Sequence, residues 1–278
     1  MLVNLKYVLD LAEKGKFCVP AFNVYNMETV MGVLKAAEEM NAPIIMQIYP
    51  RLMKEETGYF LAPSVIAAAK RATVPVCFHL DHGPSELETT RSLRYGATGI
   101  MLDGSTLPFE ENIAITKRVV DTCNFVDVQV EGELGHVGFT KDEDMDEFTT
   151  PEDAKKFVEE TGVACLAVAV GTAHGRYSKP PKLDIDRIKK IRKATGNTAL
   201  VLHGGSGVPD EMIRKTIEMG INKVNFATEL RAAMTAAVRE ALTDEGIIDP
   251  KKFMGKGREA VIELCCHKIK LCGSDGKA

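Results

Sequence analysis

The chain has no tryptophan, and aromatic residues make up only 6% of its 278 residues. It also has no basic block, because 35 lysines and arginines stand against 39 aspartates and glutamates, which gives a formal net charge of −4. A weakly acidic chain without clustered cations binds nucleic acid and anionic lipid poorly. We therefore expect neither a nucleic-acid partner nor a membrane partner.

Long apolar runs and cysteine pairs are absent as well. The longest uninterrupted apolar run, residues 163–170, is far shorter than the ~20 residues that span a bilayer. The first residues carry Lys6, Asp10 and Glu13 at helical spacing, which indicates an amphipathic helix and not a signal peptide. The seven cysteines are odd in number and include no Cys-x-x-Cys pair, which is typical of reduced thiols in a cytoplasmic protein.

Eight short, continuously apolar runs are separated by helical patterns, which is typical of parallel strands covered on both faces. A doubly wound sheet is the alternative, but the Gly-x-Gly-x-x-Gly turn of that fold is missing after the first run. Eight strand–helix units in succession predict a (β/α)8 TIM barrel instead. The predicted strands are residues 19–24, 43–49, 74–81, 99–103, 126–131, 164–171, 199–204 and 223–227. The predicted helices include residues 27–40, 85–95, 108–123, 151–161, 184–195 and 209–219.

The chain contains no linker, low-complexity segment or strong short-period repeat. We therefore expect a single domain over residues 1–278. Two more helical patterns, at residues 228–240 and 249–271, predict a C-terminal helical extension over about 228–278.

Reactive side chains follow the predicted strands where a barrel enzyme needs them, at the carboxyl ends. Three of the six histidines, His82, His174 and His203, come at the ends of the third, sixth and seventh strands. Three neutral imidazoles leave a divalent ion its full charge and an open coordination position, as in a catalytic zinc site. The sequence therefore predicts a zinc centre at this end of the barrel.

Carboxylates follow the same strands. Asp81 precedes His82, and the alternation of a strand makes their side chains diverge, so Asp81 is a candidate orienting group, base or helix cap. Asp103, Glu131 and Glu133 make the mouth acidic, either as caps and rim charges or as groups that bind a displaced metal or shift the acidity of Asp81.

A glycine-rich turn, residues 203–207, leads from the seventh strand into a helix. Small residues let backbone N–H groups approach an anion, and a helix N-terminus adds a favourable potential. The loops after strands 7 and 8 are the usual phosphate site of this fold, and Thr228 opens the helix after strand 8. The pattern predicts a phosphate site here, although a tight turn alone has the same composition.

Several motifs in one order resemble those of the class II, zinc-dependent ketose-bisphosphate aldolases, in their tagatose- and fructose-bisphosphate branch. The most specific are HLDHG (79–83), GTAHG (171–175), HGGSG (203–207) and Asn225-x-x-Thr228. VPAFNV (19–24), MLDGS (101–105), VEGELG (130–135) and KIKLCGS (268–274) extend the resemblance over nearly the whole chain.

The resemblance implies roles for individual residues. His82, His174 and His203 would bind zinc, and Asp81 would be the acid/base that acts on the C4 hydroxyl. Asp103 and Glu133 match positions near a second metal location. The residues that would hold dihydroxyacetone phosphate are Gly175, Gly204, Ser206, Asn225 and Thr228, with Asn23 close by.

The resemblance also implies a reaction and its partners. The enzyme would cleave a ketose 1,6-bisphosphate reversibly to dihydroxyacetone phosphate and an aldehyde such as glyceraldehyde 3-phosphate, through a zinc-stabilised enediolate. A monovalent cation, Na⁺ or K⁺, would accompany Zn²⁺ near the phosphate loops. A homodimer or homotetramer is implied as well.

Two segments depart from the family pattern. The loop after strand 5 lacks the usual Gly-Gly-x-Glu-Asp-Asp run, so Asp142 or Glu143 is the candidate for its acid/base glutamate, unless this charged run is a solvated loop. After strand 2, Tyr49-Pro50-Arg51 replaces a Ser-Glu-Gly stretch. Tyr49 and Arg51 either reshape the pocket or meet a distal anionic group of the substrate, unless they are only packing and a surface charge.

Other functions remain open at this point. The chain could be a dihydroxyacetone-phosphate aldolase for a different phosphosugar or aldehyde. A metal-dependent hydrolase usually carries His-x-His on strand 1, where this chain offers only Asn23. A phosphosugar-binding barrel without catalysis is the third alternative. A Schiff-base aldolase is disfavoured because no strand ends in lysine, and Lys223 begins the eighth predicted strand.

Overall fold

The computed structural model describes residues 1–135, 137, 148–175, 177 and 181–278. Within them, nine parallel strands form one sheet that closes on itself when β4 pairs with β5. The strands are β1 (Leu2–Val3), β2 (Val19–Asn23), β3 (Ile44–Ile48), β4 (Val76–Gly83), β5 (Gly99–Leu102), β6 (Gln129–Leu134), β7 (Cys165–Val168), β8 (Ala199–Leu202) and β9 (Ile221–Phe226).

Helices connect the successive strands and cover the outside of the barrel. They are α1 (Leu5–Gly15), α2 (Met27–Glu39), α3 (Pro50–Lys54), α4 (Glu56–Arg71), α5 (Glu86–Arg94), α6 (Phe109–Asn124), α7 (Pro151–Thr161), α8 (Ile185–Thr195), α9 (Asp210–Glu218), α10 (Thr228–Ala241) and α11 (Pro250–Leu271). Strands β2 to β9 form the closed (β/α)8 TIM barrel, and α10 and α11 are the predicted C-terminal helices. The predicted fold class is confirmed.

The strand boundaries show where local pattern is informative. All eight predicted strands exist, and most differ from the observed bounds by one to three residues. β6 continues to Leu134, so Glu133 lies inside a strand and not after it. β9 begins at Ile221, which makes Lys223 its third residue. β1 was not predicted because two residues are too short to show a pattern.

The helix ends follow local chemistry. α7 has the predicted bounds, since Thr150 accepts a hydrogen bond from the Asp153 N–H, Pro151 occupies the first turn, and Gly162 ends the helix at a φ of 71°. α3 and α4 were not among the predicted helices. Pro63 lies inside α4, and a proline there argues against a helix from sequence alone.

Helix α1 closes the amino-terminal end of the barrel. Its Leu5, Val8 and Ala12 are fully buried and belong to an apolar cluster with inward-facing residues of the strands. A second, larger apolar cluster lies between the strands and the outer helices. Because apolar side chains fill the amino-terminal end, polar groups in the interior collect toward the carboxyl ends of the strands. No helix in the described ranges is both long and apolar enough to cross a membrane.

The C-terminal helix α11 packs against α2 and α10, and the approach to α2 is close at Gly32. A Cβ at Gly32 would lie 2.7 Å from Cγ1 of the fully buried Val261. The substitution Gly32→Ala is therefore expected to cost about 1–3 kcal/mol of overpacking, against about 1 kcal/mol gained in helix propensity. Thermal unfolding should show a lower Tm.

The matched test adds Val261→Ala. In the double variant the new methyl group has room, so the combined loss of stability should be smaller than the sum of the two single losses. Additive losses would show that α2 and α11 can separate to accept the methyl group.

Candidate active site

The end of β4 brings Asp81 and His82 to the same side. The pairing register between β4 and β5 shifts between Leu80 and Gly83, and His82 has a left-handed φ of 48°. This bulge interrupts the alternation of the strand, so the two side chains do not diverge in the way that regular alternation predicts. Instead, His82 Nε2 lies 4.0 Å from Asp81 Oδ1.

The three predicted histidines meet at the carboxyl end of the barrel. The ring centroid of His82 lies 4.9 Å from that of His174 and 4.5 Å from that of His203. One nitrogen from each ring lies within 4.8 Å of the other two. Burial, together with the charge of His82, lowers the pKa of His174 to about 3 and also lowers the pKa of His203. Two of the three imidazoles are therefore neutral, which is the form that binds metal.

Two carboxylates approach His82 from the side of β5 and β6. Its Nδ1 lies 2.8 Å from Asp103 Oδ2 and 3.6 Å from Glu133 Oε2. Asp103 is held by Ser105, whose N–H and hydroxyl both donate to Oδ1. Burial and the charge of Asp103 raise the pKa of Glu133 to about 8.

Asp81 is almost fully buried between two side-chain amides. Asn23 Nδ2 donates to its Oδ2 over 2.7 Å, and Asn225 Nδ2 donates to its Oδ1 over 3.1 Å. Burial alone raises the pKa of a carboxyl, but His82, His203, Lys223 and the bond from Asn23 outweigh it and hold the pKa of Asp81 below its ordinary value. The carboxylate is therefore ionised at neutral pH.

A layer of charged groups lies deeper in the barrel, below the histidines. Glu131 is fully buried there and not at the rim. Its Oε1 lies 2.8 Å from His203 Nε2, and its Oε2 lies 2.8 Å from Lys223 Nζ and 3.5 Å from His79 Nε2. Burial and the charge of Lys223 lower the pKa of His79 to about 3, so His79 is neutral beside this ion pair.

The loops after β7 and β8 lie against each other. A Cβ at Gly204, where φ is 66°, would lie 2.5 Å from the carbonyl oxygen of Ala173, so only glycine fits this approach. The Tyr177 hydroxyl bridges the two loops, accepting from the Ala173 N–H and lying 3.0 Å from the Gly204 carbonyl oxygen. Gly175 follows His174 at a φ of 113°.

Ser206 joins this loop to α10. Its hydroxyl oxygen accepts hydrogen bonds from the Ala227 and Glu229 N–H groups, at the start of the helix that Thr228 opens. A loop that is glycine-rich and joined to a helix N-terminus offers several N–H groups to an anion.

Tyr49 lies at the edge of the histidine cluster. It follows β3 directly, is 42% exposed, and presents its ring edge-on to His82 with centroids 6.4 Å apart. Burial and the charges of Asp81 and Asp103 raise the pKa of Tyr49. It therefore borders the space above the candidate metal ligands.

All the predicted site residues that the structure describes lie in this one region. Asp142 and Glu143 lie outside the described residues. Three contributors were not predicted: Gln47, Tyr177 and the interior position of Lys223. The signal for the interior layer is the alternation of polar residues within apolar strands, as in Lys223 and Asn225.

The donor set fits a divalent metal ion. Besides the three histidines, His82, Asp103 and Glu133 form a second group whose ligand atoms lie within 4.8 Å of one another. Glu133 Oε2 is buried, and no hydrogen-bond partner for it exists among the residues that the structure describes. A buried carboxylate oxygen without a donor is costly unless a cation approaches it. His82 belongs to both groups, so the two metal positions would be adjacent.

Comparison with known proteins agrees with this geometry. The family model described as "Fructose-bisphosphate aldolase class-II" matches residues 3–277. The YdjI aldolase from Escherichia coli K12 has 37% sequence identity to this chain, with 100% of each chain covered and a TM-score of 0.91. A putative fructose-1,6-biphosphate aldolase from Coccidioides immitis has 29% identity, with 99% of this chain and 97% of that chain covered and a TM-score of 0.91.

A third structure extends the likeness in fold. The fructose-bisphosphate aldolase of Campylobacter jejuni has 22% identity and a TM-score of 0.83, with 100% of this chain and 97% of that chain covered. Aldolases are lyases, and the matching family acts on small phosphosugars and is generally metal-dependent. Because the family match covers nearly every residue, this chain belongs to the class II fructose-bisphosphate aldolase family.

Proposed function

We propose that the chain is a zinc-dependent aldolase that cleaves a ketose 1,6-bisphosphate of the fructose or tagatose type. The products are dihydroxyacetone phosphate and an aldehyde such as glyceraldehyde 3-phosphate. One observation carries the proposal. Asp81, an ionised carboxylate that accepts hydrogen bonds from two side-chain amides, lies 4.0 Å from His82, one of the three converging histidines. A general base beside a Lewis-acid site is what breaking a carbon–carbon bond next to a hydroxyl requires.

His82, His174 and His203 are the proposed zinc ligands, with Asp103 and Glu133 beside an alternative metal position. When bound, the ion supplies Lewis-acid polarisation of the substrate carbonyl. Asp81 takes the proton of the C4 hydroxyl as the C3–C4 bond breaks. Its low pKa keeps it ionised before the reaction, and the amides of Asn23 and Asn225 aim its oxygens.

The glycine loops are the proposed binding site for the phosphate of dihydroxyacetone phosphate. Gly204 and Gly175, both at positive φ, leave the loop backbone without side chains there, and Ser206 and Thr228 lie beside them at the N-terminus of α10. A monovalent cation, Na⁺ or K⁺, is proposed beside the same loops. Asp142 or Glu143 is proposed to exchange the C3 proton.

We also propose a cytoplasmic homodimer or homotetramer whose subunit is one domain over residues 1–278.

The position of Lys223 supports metal-assisted chemistry over Schiff-base chemistry, because its amino group is 2.8 Å from Glu131 and buried below the site. A Schiff-base lysine needs a free amine at the substrate.

A related function is favoured by Tyr49. Because its half-exposed ring borders the site next to His82, the aldehyde portion of the substrate meets an aromatic wall there. The second candidate is therefore a dihydroxyacetone-phosphate aldolase for a different phosphosugar or aldehyde.

The test compares cleavage of fructose 1,6-bisphosphate and tagatose 1,6-bisphosphate by zinc-loaded protein, with and without EDTA. Cleavage that EDTA abolishes and zinc restores is the expected result, and the ratio of kcat/KM values identifies the ketose. Zinc-loaded protein that cleaves neither ketose, yet condenses dihydroxyacetone phosphate with another aldehyde, would favour the second candidate. Cleavage that survives EDTA would contradict the metal-dependent reaction.

A further inference from the structure

Lys223 is a fully buried lysine whose position the proposed reaction does not explain. It lies inside the barrel on β9, below the histidines, with Nζ 2.8 Å from Glu131 Oε2 and 2.7 Å from Asn225 Oδ1. A buried ammonium is costly unless every one of its N–H groups finds an acceptor. Its two partners each lead to a different part of the proposed active site.

One path runs from Lys223 through Asn225 to Asp81. An amide can present either its oxygen or its NH₂ group to a neighbour. Because Asn225 Oδ1 accepts from Lys223, its Nδ2 is turned toward Asp81 Oδ1, 3.1 Å away. Without the ammonium, the amide is free to rotate and point its oxygen at the carboxylate.

The other path runs from Lys223 through Glu131 to His203. Oε2 of Glu131 contacts Lys223, while Oε1 holds His203 Nε2, which leaves His203 Nδ1 facing His82. A carboxylate on the far nitrogen of a metal-binding histidine fixes the orientation of its ring. Lys223 thus holds the Glu131 carboxylate in place, and Glu131 in turn orients the His203 ring.

The opposite oxygen of Asp81 has a comparable arrangement without a charge. Gln47 Nε2 donates to Asn23 Oδ1 over 3.0 Å, and Asn23 Nδ2 donates to Asp81 Oδ2 over 2.7 Å. Each Asp81 oxygen therefore meets an amide that another side chain holds in place. Among the residues that the structure describes, the Lys223 side is the one that also reaches the histidines, through Glu131.

We infer that Lys223 is a positioning residue that couples the metal-binding and proton-transfer halves of the site. The inference rests on the proposed function, since it takes His203 as a metal ligand and Asp81 as the acid/base. It assigns Lys223 no contact with substrate and no part in a covalent step.

The first variant is Lys223→Met, which keeps the length of the side chain and removes the ammonium. We expect kcat to fall about 10–100-fold and the zinc affinity, measured by competition with a chromophoric chelator, to weaken about tenfold, as for other groups behind metal ligands. The Tm should fall as well, because Glu131 is left buried without its cation.

The second variant, Lys223→Met with Glu131→Gln, separates positioning from charge balance. No unpaired carboxylate remains, so the Tm should recover most of its loss. The kcat and the zinc affinity should stay low, because Asn225 still lacks its donor and His203 faces a neutral amide.

Arg192→Met, on helix α8, is the control for loss of a partly buried cation elsewhere in the barrel. Arg192 bonds Glu13 and the Thr198 carbonyl oxygen at the amino-terminal end of the barrel, away from the site. This variant should have a lower Tm and unchanged kcat and zinc affinity.

Two results would overturn the inference. In one, Lys223→Met resembles Arg192→Met and loses stability alone; in the other, the double variant recovers kcat together with Tm, so Lys223 only balances Glu131. The zinc measurement does not depend on which ketose is cleaved. If the proposed substrate is wrong, the unaltered protein will not cleave it. The comparison of zinc affinities among the variants would still test the role of Lys223.

Discussion

Replacing His174 by Ala is expected to abolish zinc binding at micromolar metal and to lower kcat/KM by about 10³-fold or more. His174 completes the set of three imidazoles, and two histidines with partly hydrogen-bonded nitrogens form a poor site on their own. The side chain is half-buried, so its truncation should leave the fold intact. Metal content of dialysed protein and steady-state cleavage measure the two effects.

His267→Ala is the matched control. His267 lies on α11 with its Nε2 3.0 Å from Asp210 Oδ2, and its side chain is 53% exposed. This variant should keep the zinc content and the activity of the unaltered protein. If His174→Ala retained bound zinc and cleavage, the metal would have to lie elsewhere, and the three-histidine centre would be wrong.

Replacing Asp81 by Asn is expected to lower kcat by about 10²–10⁴-fold, the range for loss of a general base. The shape is retained, but the new NH₂ group faces the amide donor of Asn23 or Asn225, over 2.7 or 3.1 Å. One hydrogen bond is lost in a buried place, which should cost about 1–3 kcal/mol of stability. Zinc content should be unchanged, because Asp81 is 4.0 Å from His82.

Asp121→Asn is the control for this substitution. Asp121 is exposed on α6 and pairs weakly with Lys117 over 3.4 Å. The activity and stability of this variant should therefore match those of the unaltered protein. An Asp81→Asn protein that binds zinc and cleaves at the normal rate would show that another group removes the C4 hydroxyl proton.

The fold was predictable from the sequence because barrel strands are continuous apolar runs and each is followed by a helix with recognisable ends. Residues 50–71 were the exception, since Pro50 and Pro63 suggest breaks while burial of Leu61 and Val65 favours a helix. Packing against the barrel outweighs the local cost of a proline there.

The candidate site was predictable as far as side chains at strand ends are concerned. His82, His174 and His203 follow three strands, and parallel strands all end at the same mouth. What was not predictable is the pairing across the interior. Glu131 and Lys223 are 92 residues apart in the chain, and only closure of the barrel shows that they form an ion pair.

The bulge at His82 was hidden for a different reason. A period of two predicts that Asp81 and its neighbour face opposite ways, and nothing in the residues 79–83 signals a left-handed residue. The conformation follows from the pairing register of β4 with β5, a property of two strands and not of one.

The location of Tyr49 has an evolutionary consequence. Its side chain makes no capping bond to α3 and is 42% exposed, so replacing it costs the fold little, while Asp81 and the histidines depend on interior partners. Substitutions at this position can therefore accumulate during evolution while the residues of the proposed reaction stay intact. Lineages that diverge in the sugar they use should differ first at this residue, and a small library at Tyr49 should yield altered aldehyde preference in proteins that still fold.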